Sequence, residues 1–183
     1  KWRKAKQMMR YAFRQLRPAD LGGLITFGAV IGLEEPFTAN KKLLDDAVEG
    51  LGLRSGTAIH DAVLFALPLC SADTAGSKTI IILLTDGSDQ SSKASLADAI
   101  IDARARRIPV YTIGLGVEAQ DQSALDSLAH LTGGEFLPAA TAEQLKGVFD
   151  SIFKSIYSTN CILSYVTPDT CRIGEDRPIS VTV

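Results

Sequence analysis

The residues best placed to do chemistry are oxygen donors. Thr85-Asp86-Gly87-Ser88-Asp89 follows directly on the β-branched and leucine run Thr79–Leu84, and Thr57 follows the loop Gly52–Gly56. A hydroxyl and carboxylates are hard ligands suited to Mg²⁺, Mn²⁺ or Ca²⁺. Each also has a plain local reading, Thr57 as a helix N-cap and Asp86 as the turn residue of an Asp-Gly pair. Found together at one sheet edge, they favour a site. Other chemistry is poorly represented. The only histidines are His60 and His130, and no Ser/His/Asp or Cys/His constellation is legible. His60 sits close to Thr57 and could act as a base, but solvent exposure or local packing explains it more simply; His130 has the same bland reading. Gly114-Leu115-Gly116 lacks the later glycine of a dinucleotide loop. A hydrolase is thus the weaker alternative to a binding module.

These residues need a scaffold, and the apolar pattern supplies one. Residues 2–17 form an amphipathic helix with Ala5, Met8, Met9, Ala12, Phe13 and Leu16 on one stripe. Its basic residues, including Arg3, Lys6, Arg10 and Arg14, are read as a solvated outer face rather than a polyanion-binding surface. Leu21–Ala29 and Val30–Phe37 read as antiparallel strands joined by a tight turn. Thr38 or Asn40 caps a helix to about Leu51, with Leu43, Leu44, Val48 and Leu51 inward. Thr57 begins the next helix, with Ile59, Ala62, Val63, Ala66 and Leu67 as its buried stripe. Thr79–Leu84 is a strand buried on both faces. Ser92 or Ser95 caps a helix to about Arg107. Strand Pro109–Leu115, helix Gln122–Leu131, strand Glu135–Pro138 and a helix from Thr141 to about Ser158 complete the series. Alternating strands and helices imply an α/β, doubly wound, mostly parallel sheet with helices on both faces. Ligands in such sheets bind beyond the carboxyl ends of the strands, which selects the loops Gly52–Thr57, Thr85–Ser92 and Gly114–Asp121.

After Asn160 the pattern changes. Cys161–Val166 and Pro178–Val183 read as strands with no helix between them. The division is therefore a domain over residues 1–158 and a β-strand extension, or the start of a β module, over 159–183. Those strands could join the chain to another subunit through their edges, a structural alternative to ligand binding. Cys161 and Cys171 flank a turn-like segment that permits a local disulfide without fixing one. Cys70, the third cysteine, reads as a small buried hydrophobe.

The totals bound the function. A chain of 183 residues, 46% of them hydrophobic, can bury a core without disulfides or structural metals. A net charge of -2 argues against nucleic acid as the main partner. No uninterrupted apolar stretch reaches the roughly 18 residues of a membrane span.

Five segments carry a family resemblance: Gly22-Gly23-Leu24-Ile25-Thr26-Phe27, Ser55-Gly56-Thr57-Ala58-Ile59-His60-Asp61-Ala62, Leu83-Leu84-Thr85-Asp86-Gly87, Val110-Tyr111-Thr112-Ile113-Gly114-Leu115-Gly116 and Leu131-Thr132-Gly133-Gly134-Glu135-Phe136. In this order and spacing the chain resembles a von Willebrand factor A-type domain over residues 2–158. The ending is similar to bacterial members that continue into a short β-rich extension. The resemblance implies a Rossmann-like fold whose upper edge holds a metal-ion-dependent adhesion site, with Mg²⁺, Mn²⁺ or Ca²⁺ as the ion. Thr57 matches the family's second-loop ligand and Asp86 its third-loop aspartate, which often acts through water. Asp61 and Asp89 match acidic positions frequent in the family and are not direct ligands. The implied partner is a protein offering a carboxylate to the ion's open position, and the implied location is secreted or cell-surface.

One signature is missing. The family's Asp-x-Ser-x-Ser loop after the first strand has no counterpart, and the helix that should follow it begins almost at Lys1. The resemblance places that strand between Leu21–Ala29 and Thr79–Leu84. The strand and its loop are expected upstream in a longer protein, or as a strand donated by another chain; otherwise the sheet is rearranged. Thr57 and Asp86 alone should hold Mg²⁺ poorly, because it demands near-octahedral oxygen coordination. Ion binding is therefore expected to be impaired or absent in this chain.

Overall fold

The computed structural model describes residues 2–52, 54–70 and 78–158. The C-terminal strands expected over 161–183, Cys161, Cys171 and most of the polar break after Cys70 lie outside the described residues. Among the described residues eleven elements follow in order: α1 (Trp2–Gln15), β1 (Gly22–Thr26), β2 (Gly32–Thr38), α2 (Lys41–Gly50), α3 (Ile59–Cys70), β3 (Ile81–Thr85), α4 (Leu96–Arg106), β4 (Val110–Leu115), α5 (Ala119–Thr132), β5 (Phe136–Ala139) and α6 (Ala142–Tyr157).

Helix ends follow from local chemistry. The Asn40 side chain, not Thr38, caps α2 by accepting from Lys42 N. Ser95, not Ser92, caps α4 in a reciprocal box with Asp98. Gly133, at φ 87°, closes α5 in the left-handed conformation that glycine adopts without strain. Thr141 caps α6 by accepting from Gln144 N.

Strands β3, β4 and β5 form a parallel sheet in that order, with Ile81 beside Val110 and Thr112 beside Phe136. Side chains alternate between two cores, as a two-residue period requires. On one face Leu83 and Val110 pack with Ile59, Val63 and Leu67 of α3, Ala99 and Ala103 of α4, and Leu125 and Leu128 of α5. On the other, Ile82, Leu84 and Ile113 meet Ala12 of α1 and Leu145, Phe149 and Ile152 of α6. The sheet is therefore covered by helices on both faces, the doubly wound arrangement that the strand–helix alternation implies. The α3 stripe read from sequence is the buried set observed.

The first two strands stand apart. β1 and β2 form an antiparallel ribbon with a shifted register near Leu24, and it shares no hydrogen-bonded ladder with β3 among the described residues. Helix α1 bridges the two parts: Met9 and Phe13 pack with Leu24, Val48 and Leu51, while Met8, Tyr11 and Ala12 serve the sheet's core. Phe27, just after β1, reaches the α3 side. Among the described residues β3 thus has one paired edge, and its Ile81, Ile82 and Leu84 remain partly exposed.

Two expectations need correction. Leu43 does not join the inner face of α2; it is 44% exposed, while Leu44 and Val48 are fully buried. A ten-residue helix shows its core only the narrow stripe 44, 48 and 51, and Leu43 lies one step, about 100°, off it. The basic face of α1 is not simply solvated either. Arg10 and Arg14 both pair with Asp45 of α2, at 3.3 and 3.0 Å, and Lys6 donates to the Glu49 carbonyl at 2.6 Å. Burial opposes the Asp45 charge, but the two guanidinium groups outweigh it and hold its carboxyl below the ordinary range. The acid that compensates α1 comes from another helix, so the charge count along α1 alone could not show it.

Candidate functional site

The C-terminal edge of β3 is built by three stitched segments. β3 ends in Thr85, whose buried hydroxyl donates to the Gly87 carbonyl at 2.9 Å and accepts from Gly87 N at 3.3 Å. This closes the turn without using Asp86, which is exposed at its tip.

The loop beyond Asp86 is fastened to the start of α3. Asp89 Oδ1 accepts from Ile59 N at 2.6 Å and from His60 N at 3.3 Å. Ser92 Oγ accepts from Asp61 N at 3.1 Å and donates to Asp89 Oδ1 at 2.6 Å. Asp89 and Ser92 therefore satisfy the open amides of the α3 first turn, the work of an N-cap, from 30 residues away. In return, Asp61 accepts from Lys93 N and Ala94 N, both at 2.9 Å. Those two amides hold the Asp61 carboxyl below the ordinary carboxylate range. Its contribution to stability is present above that range and is lost as pH falls through the lowered value.

Thr57 lies in the same seam. Its carbonyl accepts from Gln90 N at 2.8 Å and Ser91 N at 3.0 Å, and its amide donates to Ser91 Oγ at 3.3 Å. It does not cap α3, since the helix begins at Ile59 and its first amides are held by Asp89. The Thr57 hydroxyl is engaged by no described residue. On the other side, Ser55 O accepts from Ala29 N at 2.6 Å, which ties the β1–β2 turn to this loop. Gly28 allows that approach: a Cβ there would lie 2.6 Å from Ser55 O.

Of the four acidic and hydroxyl residues singled out from the sequence, Thr57, Asp61 and Asp89 thus meet in this seam and Asp86 stands at the tip of the adjoining turn, and they divide into two roles. Asp61 and Asp89 are consumed by backbone amides, while Thr57 and Asp86 keep their side-chain oxygens uncommitted. Sequence reasoning missed Ser91 and read Ser92 only as a candidate cap of α4, although the serine-rich run after Asp89 was a visible sign that side chains there bond to backbone. His60 Nδ1 lies 3.3 Å from Ala94 O and 3.7 Å from Asp89 Oδ2; His130 is exposed on α5.

A divalent ion fits this set only in part. Among the described residues no three His, Cys, Asp or Glu side chains converge on one point. Thr57 and Asp86 offer one hydroxyl and one carboxylate, too few for the near-octahedral oxygen shell of Mg²⁺.

Comparison with known proteins agrees with this architecture. A UPF0353 protein of Nocardia farcinica (strain IFM 10152) is 24% identical over 73% of this chain, and the chain spans about half of that relative's length. The solved von Willebrand factor type A protein from Catenulispora acidiphila superposes with a TM-score of 0.74 at 20% identity, covering 85% of this chain and 38% of that one. The vWF domain of the type V pili tip protein Mfa5 from Porphyromonas gingivalis superposes at 0.67 with 14% identity, covering 91% of each chain. The family model described as von Willebrand factor type A domain matches residues 1–151. With its fold, its order of segments and that match in agreement, the chain belongs to the von Willebrand factor type A domain family.

Proposed function

We propose that this chain is a protein-binding, adhesion-type module whose ligand docks at the C-terminal edge of β3, around Asp86 and Thr57, through a divalent ion. The observation that carries the reading is the division of labour at the seam. Asp61, Asp89, Ser91 and Ser92 hold the loops, and this leaves the Asp86 carboxylate and the Thr57 hydroxyl free at the surface. Mg²⁺, with Mn²⁺ or Ca²⁺ as substitutes, would take Asp86, directly or through water, and Thr57, with a partner's carboxylate in an open position. Further oxygens must come from a segment between β1 and β3. Similarity to a pilus-tip vWF domain supports an adhesive role and a secreted or cell-surface setting. No described helix is long and apolar enough to cross a membrane.

The split between the β1–β2 ribbon and the β3–β4–β5 sheet supports a second element of this reading. One extended segment, from a longer form of this protein or donated by another chain, would pair with β3 and complete both sheet and ion site. Domain boundaries at residues 1–158 and 159–183 belong to the same proposal. The His60–Asp89 contact does not favour a hydrolase, because Asp89 is spent on the α3 amides, the Ser92 hydroxyl bonds to Asp89 rather than to the imidazole, and among the described residues no hydroxyl or thiol is hydrogen-bonded to the His60 ring.

Isothermal titration with Mg²⁺ tests the reading, on this chain and on one extended upstream by the source protein's own residues. The extended chain should bind the ion and lose its protein ligand in EDTA. Absence of heat together with EDTA-insensitive ligand binding would overturn the ion-dependent reading.

A further inference from the structure

A cavity of about 270 Å³ opens beside the Asp86 loop, between the N-terminal turns of α3, α4 and α5. Ser88, two residues beyond Asp86, forms part of its wall. Its floor is apolar, made by Ile59, Leu125 and Leu128, all buried. Asp89, Asp121 and His60 also line it, the His60 ring 3.7 Å from Asp89, and among the described residues no lysine or arginine does. The two carboxylates differ in availability. Asp89 is bonded to α3 amides, whereas the half-buried Asp121 side chain is engaged by no described residue.

Leu96, the first residue of α4, lines the cavity too, so the N-termini of α3, α4 and α5 each contribute roughly +0.5 of a charge, about +1.5 together against the two carboxylates. Two carboxylates outweigh them, so the cavity favours a cation over an anion. It is also small beside the roughly 300–1,000 Å³ of sites for drug-sized ligands, a size that suits a single side chain. An apolar floor under a negative rim matches a long side chain with an aliphatic stem and a charged end.

We propose that this cavity receives a lysine or arginine side chain of the protein ligand, its stem against Leu96 and Ala124 over the buried floor of Ile59, Leu125 and Leu128, and its cation beside Asp121. That the occupant belongs to a protein rests on the binding reading above. The cavity would then set which ligands dock, since a basic residue must lie near the one that meets Asp86.

The test is a heteronuclear NMR titration of the full isotope-labelled chain without divalent ions, using N-acetyl-lysine N-methylamide and its norleucine and glutamate counterparts. Saturable shifts of the Ile59, Ala124 and Leu125 amides are expected with lysine. Affinity should be about fivefold weaker with norleucine, the difference of one partly exposed ion pair. Glutamate should give no saturable shift. In Asp121→Asn the lysine affinity should fall to the norleucine level. No saturable response to lysine, equal responses to lysine and norleucine, or a glutamate response as strong as lysine's would overturn the proposal. Repetition in Asp86→Ala separates the two readings. A lysine response that survives there stands even if ion-dependent binding fails. Ion-dependent binding with no lysine response would sink this inference alone.

Discussion

Asp61 and Asp89 hold each other's backbone across the seam between α3 and the loop after β3. Asp89 accepts the first amides of the helix that carries Asp61, and Asp61 accepts the amides of the loop that carries Asp89. This reciprocity fixes the positions of Thr57 and Asp86 without using their side chains, and it separates residues that shape the edge from residues that can bind at it.

The separation predicts opposite mutational signatures. Asp89→Ala should destabilise the fold by about 2 kcal/mol, because it leaves α3 amides unsatisfied, and Asp61→Ala by about 1 kcal/mol. Urea denaturation with a common m-value would measure both. Losses below those of an ordinary surface substitution would mean that the clasp does not contribute to stability.

Asp86→Ala and Thr57→Ala should behave differently. Neither side chain supports another described residue, so stability should stay within about 0.5 kcal/mol of the wild type. In a chain extended upstream, each should lower Mg²⁺ affinity and ion-dependent ligand binding, Asp86→Ala more strongly because it removes a charge. Calorimetry on the extended chain checks this, and an unchanged Mg²⁺ affinity in Asp86→Ala would exclude Asp86 as a ligand.

Gly28→Ala should disturb the site from a distance. The new Cβ would meet Ser55 O at 2.6 Å and the Arg54 Cβ at 2.8 Å, so the loop leading to Thr57 must move. The expected loss is about 2 kcal/mol. Amide exchange at Gln90 and Ser91, the donors to the Thr57 carbonyl, should accelerate more than at Val110 in the sheet. Uniform acceleration would point to global destabilisation instead.

Tyr157 gives a prediction in pH. Burial, with the hydrogen bond to Asp20 and that residue's negative charge, pushes its phenol up to about 12 from an ordinary 10.0. A raised value in the folded state means the contribution is full below the unfolded value and is lost as pH rises through the folded one. Stability should therefore decline between about pH 10 and 12, and Tyr157→Phe should flatten that decline. Alkaline urea titrations of both proteins would show it, and an identical decline in the two would assign the effect elsewhere.

Much of this protein was legible along the chain because the deciding physics is local. The apolar stripe of α3 follows from a 3.6-residue period, the Asn40 and Thr141 caps from a side chain reaching amides two or three residues on, and the αL stop at Gly133 from glycine's freedom at positive φ. The pairing of β1 with β2 followed from their short turn. Asp86 was singled out by place as much as by type, because its loop follows the end of β3, whereas Thr57, in the loop between α2 and α3, was singled out by its hydroxyl next to a helix start. What the tertiary structure decided is who meets whom across long separations. Only there do Asp61 and Asp89 become clasps for amides about 30 residues away, Asp45 the counter-charge of Arg10 and Arg14, and Leu43 a surface residue. A carboxylate carries the same charge whether it meets an amide, a guanidinium or an ion, and nothing in its sequence neighbourhood says which; only the packing of α3 against the loop after β3 leaves Asp86 open while it closes Asp89.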